Sequence, residues 1–597
     1  MDRNNIIGLV LIFIIFAGSF YWMKPSDAEI KAEQARQDSI AAAKKGTVVT
    51  KDSANAIVPT DSAAWTQKPF GEAMVAQEEI ITLENDILKI DLTSKGAKVK
   101  NVLLKGEKNF DGSPLNIIEG DNNKFGFIFK ANGENVHTND LVFTVVNKSP
   151  NTATLRLSYK QDQYLEYVYT LSEGHNLAVN VNAVGIQNLM DVQQKSIILD
   201  WETTLLQKEQ NIKSEREKST IFFKDADGDI DHLSEASDDE EKIDDNKLEW
   251  IAFKQHFFSS IFSSKQPFEN TNLITKVATQ DGVVKTYKAT AELAFNSQAN
   301  NHYEFNYFFG PNKYKTLKAE DKAYEKIINM GWGPMGWINR FITVPIFDWL
   351  DGYNLSYGIV ILILTILLKG AMFPLTRKSY ISMAKMRVLK PQLDEIKEKV
   401  GEDNPMLLQQ EQMKLYKQVG VNPLGGCLPL LLQMPFTLAF FFFFPNLYEL
   451  RGESFLWMKD LSTYDAPITF PSFLGINHIS LMCVLMTLVT LLTTWYNNAT
   501  SSSGVNNQMK YLGYIMPLLF FFMLNNFPSG LNYYYFLGAV FTFLTQFIIR
   551  QTINDEKILA QLEENKKNPK VQKKSSFQAR LEEMMRQQQA AQQNKKQ

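Results

Sequence analysis

Residues Tyr511 to Ile549 form 39 consecutive positions without a charged side chain. A helix rises about 1.5 Å per residue, so this run is long enough to cross a hydrocarbon layer of roughly 30 Å twice. Asn525-Asn526-Phe527-Pro528-Ser529-Gly530 lies at its middle and favours a tight turn there. Other apolar stretches precede it. Gly352 to Leu368 is uncharged and continues past Lys369 to Leu375, Gln418 to Tyr448 has no charge, and Ala466 to Met509 has only His478. Ile6 to Met23 makes one more. The count is six spans, five of them in a carboxy-terminal bundle. A backbone surrounded by lipid must satisfy its polar groups internally, so helices are the expected form.

Lysine and arginine in the short loops give the orientation. Residues 376–426 hold nine, the stretch after Ile549 holds eleven, and the loop 449–475 holds two. Placing the first two on the cytoplasmic side puts both termini inside and the large segment before Tyr324 outside. The overall net charge of −3 offers no general attraction to nucleic acid.

The first run ends in Tyr21-Trp22-Met23-Lys24-Pro25, an aromatic belt followed by charge and not a small-x-small cleavage site. It reads as a retained signal anchor, residues 1–24. Residues 25–65 are rich in Ala, Lys, Asp, Gln and Ser and read as a flexible tether. From Ile80 to Phe309 the pattern becomes alternating segments, such as Ile87-Leu88-Lys89-Ile90-Asp91-Leu92 and Thr152-Ala153-Thr154-Leu155-Arg156-Leu157. Turn signals such as Ser94-Lys95-Gly96 and Asn132-Gly133 separate them. An antiparallel β-sandwich over residues 66–320 follows, for a mixed architecture of helical membrane bundle plus extracytoplasmic β domain. The acidic stretch Asp225 to Asp245 lacks the Gly and Glu of a calcium loop, having Ile230 and Ala236 at those positions, and reads as a solvated loop. Residues 321–350 mix Trp332, Trp337, Phe341 and Ile342 with Lys326 and Arg340, which suits an amphipathic helix at the bilayer surface.

Within the bundle, residues 351–550, the segment 377–421 reads as a charged helical hairpin with Gly401 to Asp403 at its turn and Asn404 capping the second helix. Residues 551–597 read as a basic, solvated tail. Lys369 is the sharpest single residue, about 9 Å inside the end of its span if that span ends at Leu375. A cation near the centre of a span costs around 2.5–3.5 kcal/mol on insertion scales, so this one calls for an explanation. Snorkelling is one; a hydrated cavity is the other, favoured by Thr365 one turn earlier on the same face. Asn532, Tyr535, Gly538, Thr542, Thr545 and Gln546 share one arc of the last span. Ser480, Thr487, Thr490, Thr494 and Asn497 share a stripe on the fourth, and Gln433 lies in the third. Such stripes suit a wet groove and close helix packing equally well.

Catalytic signatures are missing: there is no phosphate-binding loop, no His-Glu-x-x-His and no Gly-x-Ser-x-Gly. The six histidines show no ligand spacing, and Cys427 and Cys483 both sit in apolar runs. Neither an enzyme nor a cofactor or metal site is expected. A transporter would show inverted repeats, which the bundle lacks.

Met383-Ala-Lys-Met-Arg-Val-Leu-Lys-Pro391, Asn422-Pro-Leu-Gly-Gly-Cys-Leu-Pro-Leu-Leu-Leu-Gln-Met-Pro435, Phe527-Pro-Ser-Gly-Leu531 with Tyr534-Tyr535, and Pro374-Leu-Thr376 resemble the YidC family of membrane protein insertases. Trp250-Ile-Ala-Phe-Lys-Gln-His-Phe-Phe258 resembles a segment of the family's periplasmic β-supersandwich. The resemblance implies an inner-membrane insertase and chaperone with a groove open to cytoplasm and lipid. Its partners would be nascent membrane proteins, the lipid bilayer, the Sec translocon, and the ribosome through the hairpin and basic tail. The groove residues it implies are Lys369, Thr365, Gln433, Tyr534 and Tyr535. Family members usually carry Arg where Lys369 stands; Lys keeps the charge but lacks the planar fork.

Overall fold

The computed structural model describes residues 70–567, apart from 192, 402–404, 422–427, 474–475 and 501–506. The expected anchor, the tether, the Asn404 cap, the first six residues of the Asn422–Pro435 motif and the end of the tail lie outside the described residues. All described residues fall in one compact unit, Trp65–Gln597.

Residues 80–311 form the β domain, with a four-stranded sheet over Ile80–Ile118 and a fourteen-stranded antiparallel one after it. The sequence alternation is realised directly: Leu88, Ile90 and Leu92 are buried while Lys89 faces out, and Ala153, Leu155 and Leu157 repeat the pattern. Asn132 and Gly133 both adopt positive φ, 50° and 85°, closing the two-residue hairpin between Ala131 and Glu134 as a primed turn requires. The 20-residue strand Phe258–Val277 serves both halves of the sandwich. Its start pairs with Asn301–Pro311 up to Ser264, and its end pairs with Val283–Ala294 from Glu269. Pro267 sits at the switch, where a missing N–H interrupts no ladder. Trp201 stacks on Phe253 at 3.6 Å in the core between the sheets.

The acidic stretch differs from expectation. It folds as short strands, Ile230–His232 and Asp239–Ile243, that pair with the sandwich. Asp225 Oδ1 accepts the Asp229 N–H at 2.8 Å, so the carboxylate closes a hairpin turn.

The expected interfacial helix over 321–350 is also more divided. Tyr324 packs against Trp250 and Phe308 of the sandwich. Helical turns then run from Gly333 through a π-helical segment, Asn339–Thr343, into α1, Val344–Asp351. Met335, Ile338, Phe347 and Leu350 are buried on one side, while Trp332, Trp337, Phe341 and Trp349 are exposed on the other. The two-faced character holds although the single helix does not.

The helical part comprises α2 (Tyr357–Val388), α3 (Lys390–Val400), α4 (Pro405–Val419), α5 (Leu428–Phe443), α6 (Leu481–Thr500), α7 (Asn507–Leu524), α8 (Ser529–Thr552) and α9 (Asp555–Lys567). Each of the five apolar stretches of the bundle contributes one helix, but Ala466 to Met509 opens with a two-stranded hairpin, Ile468–Phe473 with Ile476–Ile479, before its helix begins. By length and composition Tyr357–Val388 and Leu481–Ala499 can each cross a membrane, and Ser529–Thr552 qualifies together with Asp555–Lys566 beyond a 69° bend. The other two, α5 and α7, are shorter. Pro517 lies inside α7, and the helix continues through it. Its apolar part, Tyr511–Leu524, is nevertheless only about 20 Å long, short of a roughly 30 Å layer.

Two further expectations change. The first arm of the hairpin is continuous with α2 as far as Val388 and parts from it only at Leu389, just before Pro391. The tail begins as a packed helix: Leu562 of α9 joins Leu389, Leu415 and Val419 in a small core, and Asp555 pairs with Arg387 at 2.6 Å.

Opposite the hairpin, the β domain grips the helical part. Arg451, after α5, donates to Glu209 at 2.7 Å and to Glu107 at 3.1 Å. The His256 ring donates to the Pro445 carbonyl at 2.7 Å, and Asn211 donates to the Asn526 carbonyl in the α7–α8 turn at 3.2 Å. The sandwich, the loop after α5 and the α7–α8 turn therefore share one end.

Candidate functional site

Lys369 stands twelve residues into α2, about 18 Å along it. The ammonium group donates to Thr542 Oγ1 of α8 at 3.2 Å, and no carboxylate among the described residues pairs with it. It faces a cavity of about 260 Å³ between α2, α5, α6 and α8. Gln433 and Thr437 of α5 and Thr490, Thr493 and Thr494 of α6 line one side. Tyr534, Tyr535, Gly538 and Thr542 of α8 line the other.

Small residues make room for the long side chain. Gly538 passes beside it, and a Cβ there would lie 3.7 Å from Lys369 Cε, in ordinary contact. The threonines are held by their own helices: Thr437 donates to Gln433 O at 3.2 Å, Thr490 to Met486 O at 2.8 Å, Thr494 to Thr490 O at 2.9 Å and Thr542 to Gly538 O at 2.7 Å. With their protons committed to the backbone, these oxygens present lone pairs to the cavity. The surface offered is one cation among acceptors.

Towards the β domain the cavity is capped by aromatic rings. Tyr534 meets Phe440 edge-on at 4.7 Å and Phe444 at 5.5 Å. These rings share a core with Phe443, Leu450, Leu461 and Leu531. A larger cavity, about 720 Å³, lies at the hairpin end, where Asn497 and Gln546 reach it with Tyr380, Arg387 and Arg550.

The structure thus brings Lys369, Gln433, Tyr534 and Tyr535 together. Tyr535 donates to the Thr437 carbonyl at 3.4 Å across the helix gap. Thr365 is not brought to the cavity: it is fully buried and donates to Ile361 O at 2.7 Å. Of the two polar stripes, Thr490, Thr494, Tyr535, Gly538 and Thr542 reach the cavity. Ser480 donates to Asp465, and Asn532 donates to the Leu524 carbonyl at 3.1 Å, so these two knit loops and helix ends together. Sequence reasoning passed over Thr437 and Thr493. Thr437 lies one helical turn beyond Gln433, a spacing that could have marked it. It also passed over the grip at the β domain. Trp250 and His256, read as a motif, turn out to fasten that domain to Lys322 O and Pro445 O.

The model of the family "60Kd inner membrane protein" matches residues 349–557, and that of the "YidC periplasmic domain" matches residues 80–349. A Bacteroides fragilis protein named membrane protein insertase YidC is 39% identical over 620 residues and covers all of both chains. One of the same name from Parabacteroides distasonis is 37% identical over 99% of this chain and 98% of its own. Among solved structures, the periplasmic domain of Thermotoga maritima YidC superposes on 42% of this chain and 92% of its own, with a TM-score of 0.21 and 10% identity. An Escherichia coli putative aldose 1-epimerase covers 39% of this chain and all of its own, with a TM-score of 0.28 and 9% identity. Both superpositions are too loose to bear on function. The full-length sequence matches carry the assignment: this chain belongs to the YidC family of membrane protein insertases.

Proposed function

We propose that the chain inserts membrane proteins by receiving a polar segment of the client in the Lys369 cavity before the apolar segment moves sideways into lipid. The observation that carries this reading is an ammonium group without a carboxylate partner among the described residues, facing acceptor oxygens between four helices. A polar backbone entering such a space remains partly solvated, which lowers the cost of crossing the rest of the layer. The aromatic cap over Tyr534 would close the space on the β-domain side, and the short apolar part of α7 would thin the layer the client must cross.

The charge distribution supports a cytoplasmic hairpin and tail with the β domain outside. The packed surface of α3, α4 and α9 would then meet the ribosome, and a Sec translocon could act beside the bundle. Thr365 would act by fixing the packing above Lys369.

The test is insertion of a single-span client with an acidic amino-terminal tail by Lys369→Glu. An ion pair at about 4 Å and an effective dielectric near 20 is worth roughly 4 kcal/mol before desolvation, so a remnant of one third gives about tenfold. Insertion should fall by that factor, and Lys369→Arg should retain it. Full insertion by Lys369→Glu would reject the role of the charge and leave the family assignment standing.

A further inference from the structure

We infer that the larger cavity at the hairpin end is a binding site for the headgroup of an anionic phospholipid that carries a hydroxyl donor, such as phosphatidylglycerol. Four cations line it, Arg387, Lys390, Lys397 and Arg550, against one lining carboxylate, Asp394. Asp555 occupies Arg387 at 2.6 Å. Lys390 and Arg550 have no carboxylate partner among the described residues; Arg550 lies over the Tyr496 ring at 5.6 Å. A basic pocket between helices, where those helices leave the bilayer, is the setting in which lipid phosphates are held.

A second observation is independent of charge. Gln546 is 8% exposed, lines the same cavity, and its Oε1 accepts no hydrogen bond. A buried amide oxygen without a donor is unfavourable by itself, so a ligand hydroxyl would satisfy it. Apolar groups adjoin the cations: Met383 on α2, Leu393 on α3, and Ile549 and Ile553 at the end of α8. Phosphate, hydroxyl and glycerol-ester carbons in one ligand match that division. The volume, about 720 Å³, lies within the roughly 300–1,000 Å³ of small-ligand sites. An acidic peptide would satisfy the cations but would leave the apolar wall against its backbone.

The experiment is native mass spectrometry of the full-length chain in detergent, titrated with phosphatidylglycerol, phosphatidic acid or phosphatidylcholine. Binding is read directly and does not depend on insertion, so failure here leaves the Lys369 reading untouched. Phosphatidylglycerol should bind the parent well above phosphatidylcholine. Lys390→Gln with Arg550→Gln should weaken it about thirtyfold, at roughly fivefold per cation near a lipid surface. Lys390→Arg with Arg550→Lys keeps the charges and should retain binding, which guards against a folding defect. Gln546→Leu should weaken phosphatidylglycerol but not phosphatidic acid. Equal binding of phosphatidylglycerol and phosphatidylcholine by the parent would overturn the proposal. So would undiminished binding by the double Gln variant, or displacement of the lipid by glycerol phosphate or an acidic peptide at equal concentration.

Discussion

Replacing Arg451 with Ala should loosen the β domain from the helices more than any other exchange in that contact. The guanidinium is 8% exposed, touches Glu209 at 2.7 Å and Glu107 at 3.1 Å, and donates to the Lys108 carbonyl at 2.7 Å over the face of Phe258. Glu209 is almost equally hidden, at 10%. Truncating one partner of a buried pair generally costs 3–5 kcal/mol, because the other charge is left uncompensated. Burial already pushes the Glu209 carboxyl above its ordinary range while Arg451 pulls it back, so without Arg451 it would take up a proton and relieve part of the loss. A value near 3 kcal/mol follows, or a fall in Tm of roughly 6–12 °C for a domain of this size. The assay is thermal unfolding of the detergent-solubilised chain followed by far-UV circular dichroism. The loss should shrink as the pH is lowered, because the raised Glu209 carboxyl takes up a proton once Arg451 is gone, and Arg451→Met with Glu209→Gln should recover most of it. A fall below about 2 °C for Arg451→Ala, or no recovery in the double variant, would refute the account.

Gly358→Ala should destabilise by about 1–3 kcal/mol, since a Cβ there overlaps the Phe455 ring, whereas Gly538→Ala should be tolerated in the same melts. Trp201→Ala should lower β-domain stability by about 3–5 kcal/mol in chemical denaturation, as it empties a stacked core position. Stability should fall between pH 6.5 and 8 and rise again from pH 8 to about 9.5. Burial raises the Glu215 carboxyl to about 8, so the folded state holds a proton that the unfolded chain has released. Burial lowers Lys218 and Lys285 to about 8, so above that the unfolded chain holds the extra protons. Between pH 4.5 and 6.5 the buried, neutral His256 opposes Glu215 and flattens the profile. Glu215→Gln should remove the fall between 6.5 and 8.

Periodicity made the strands legible: Leu88, Ile90 and Leu92 alternate with polar neighbours, and Asn132-Gly133 permits only a few backbone turns. Uncharged length made the helices legible. Neither signal could show where α2 ends, because Lys385 and Arg387 look like a loop to a hydropathy count but are good helix formers. Nor could they place Asp555 on Arg387 or Arg451 on Glu209, 168 and 242 residues away. The candidate site divided along the same line. Lys369 and Tyr535 stood out because an intramembrane cation and a polar arc are local facts. Whether Thr365 shared the cavity depended on which neighbour covered its face, and buried α2 packing through Val360, Ile361 and Leu364 did so. Pro517 stays within α7 because the ring removes one hydrogen bond without compelling a break where the rest of the helix is supported.

The donor count at Lys369 bears on why the site should be wet. An ammonium group has three N–H donors and no acceptor. Thr542 Oγ1 takes one, and that oxygen has already given its own proton to Gly538 O. The surrounding threonine oxygens are similarly committed as donors and open as acceptors. Two ammonium donors facing such oxygens across about 260 Å³ are satisfied only by water or by an incoming acceptor, and a site with several polar partners and this room can hold water. An arginine in the same place would keep the charge and present five donors in a plane, so it too would leave donors for an incoming acceptor. Lys369 as it stands keeps its charge compact and most of its donors free, so an acidic or carbonyl-rich segment entering the cavity exchanges with water rather than with a protein partner.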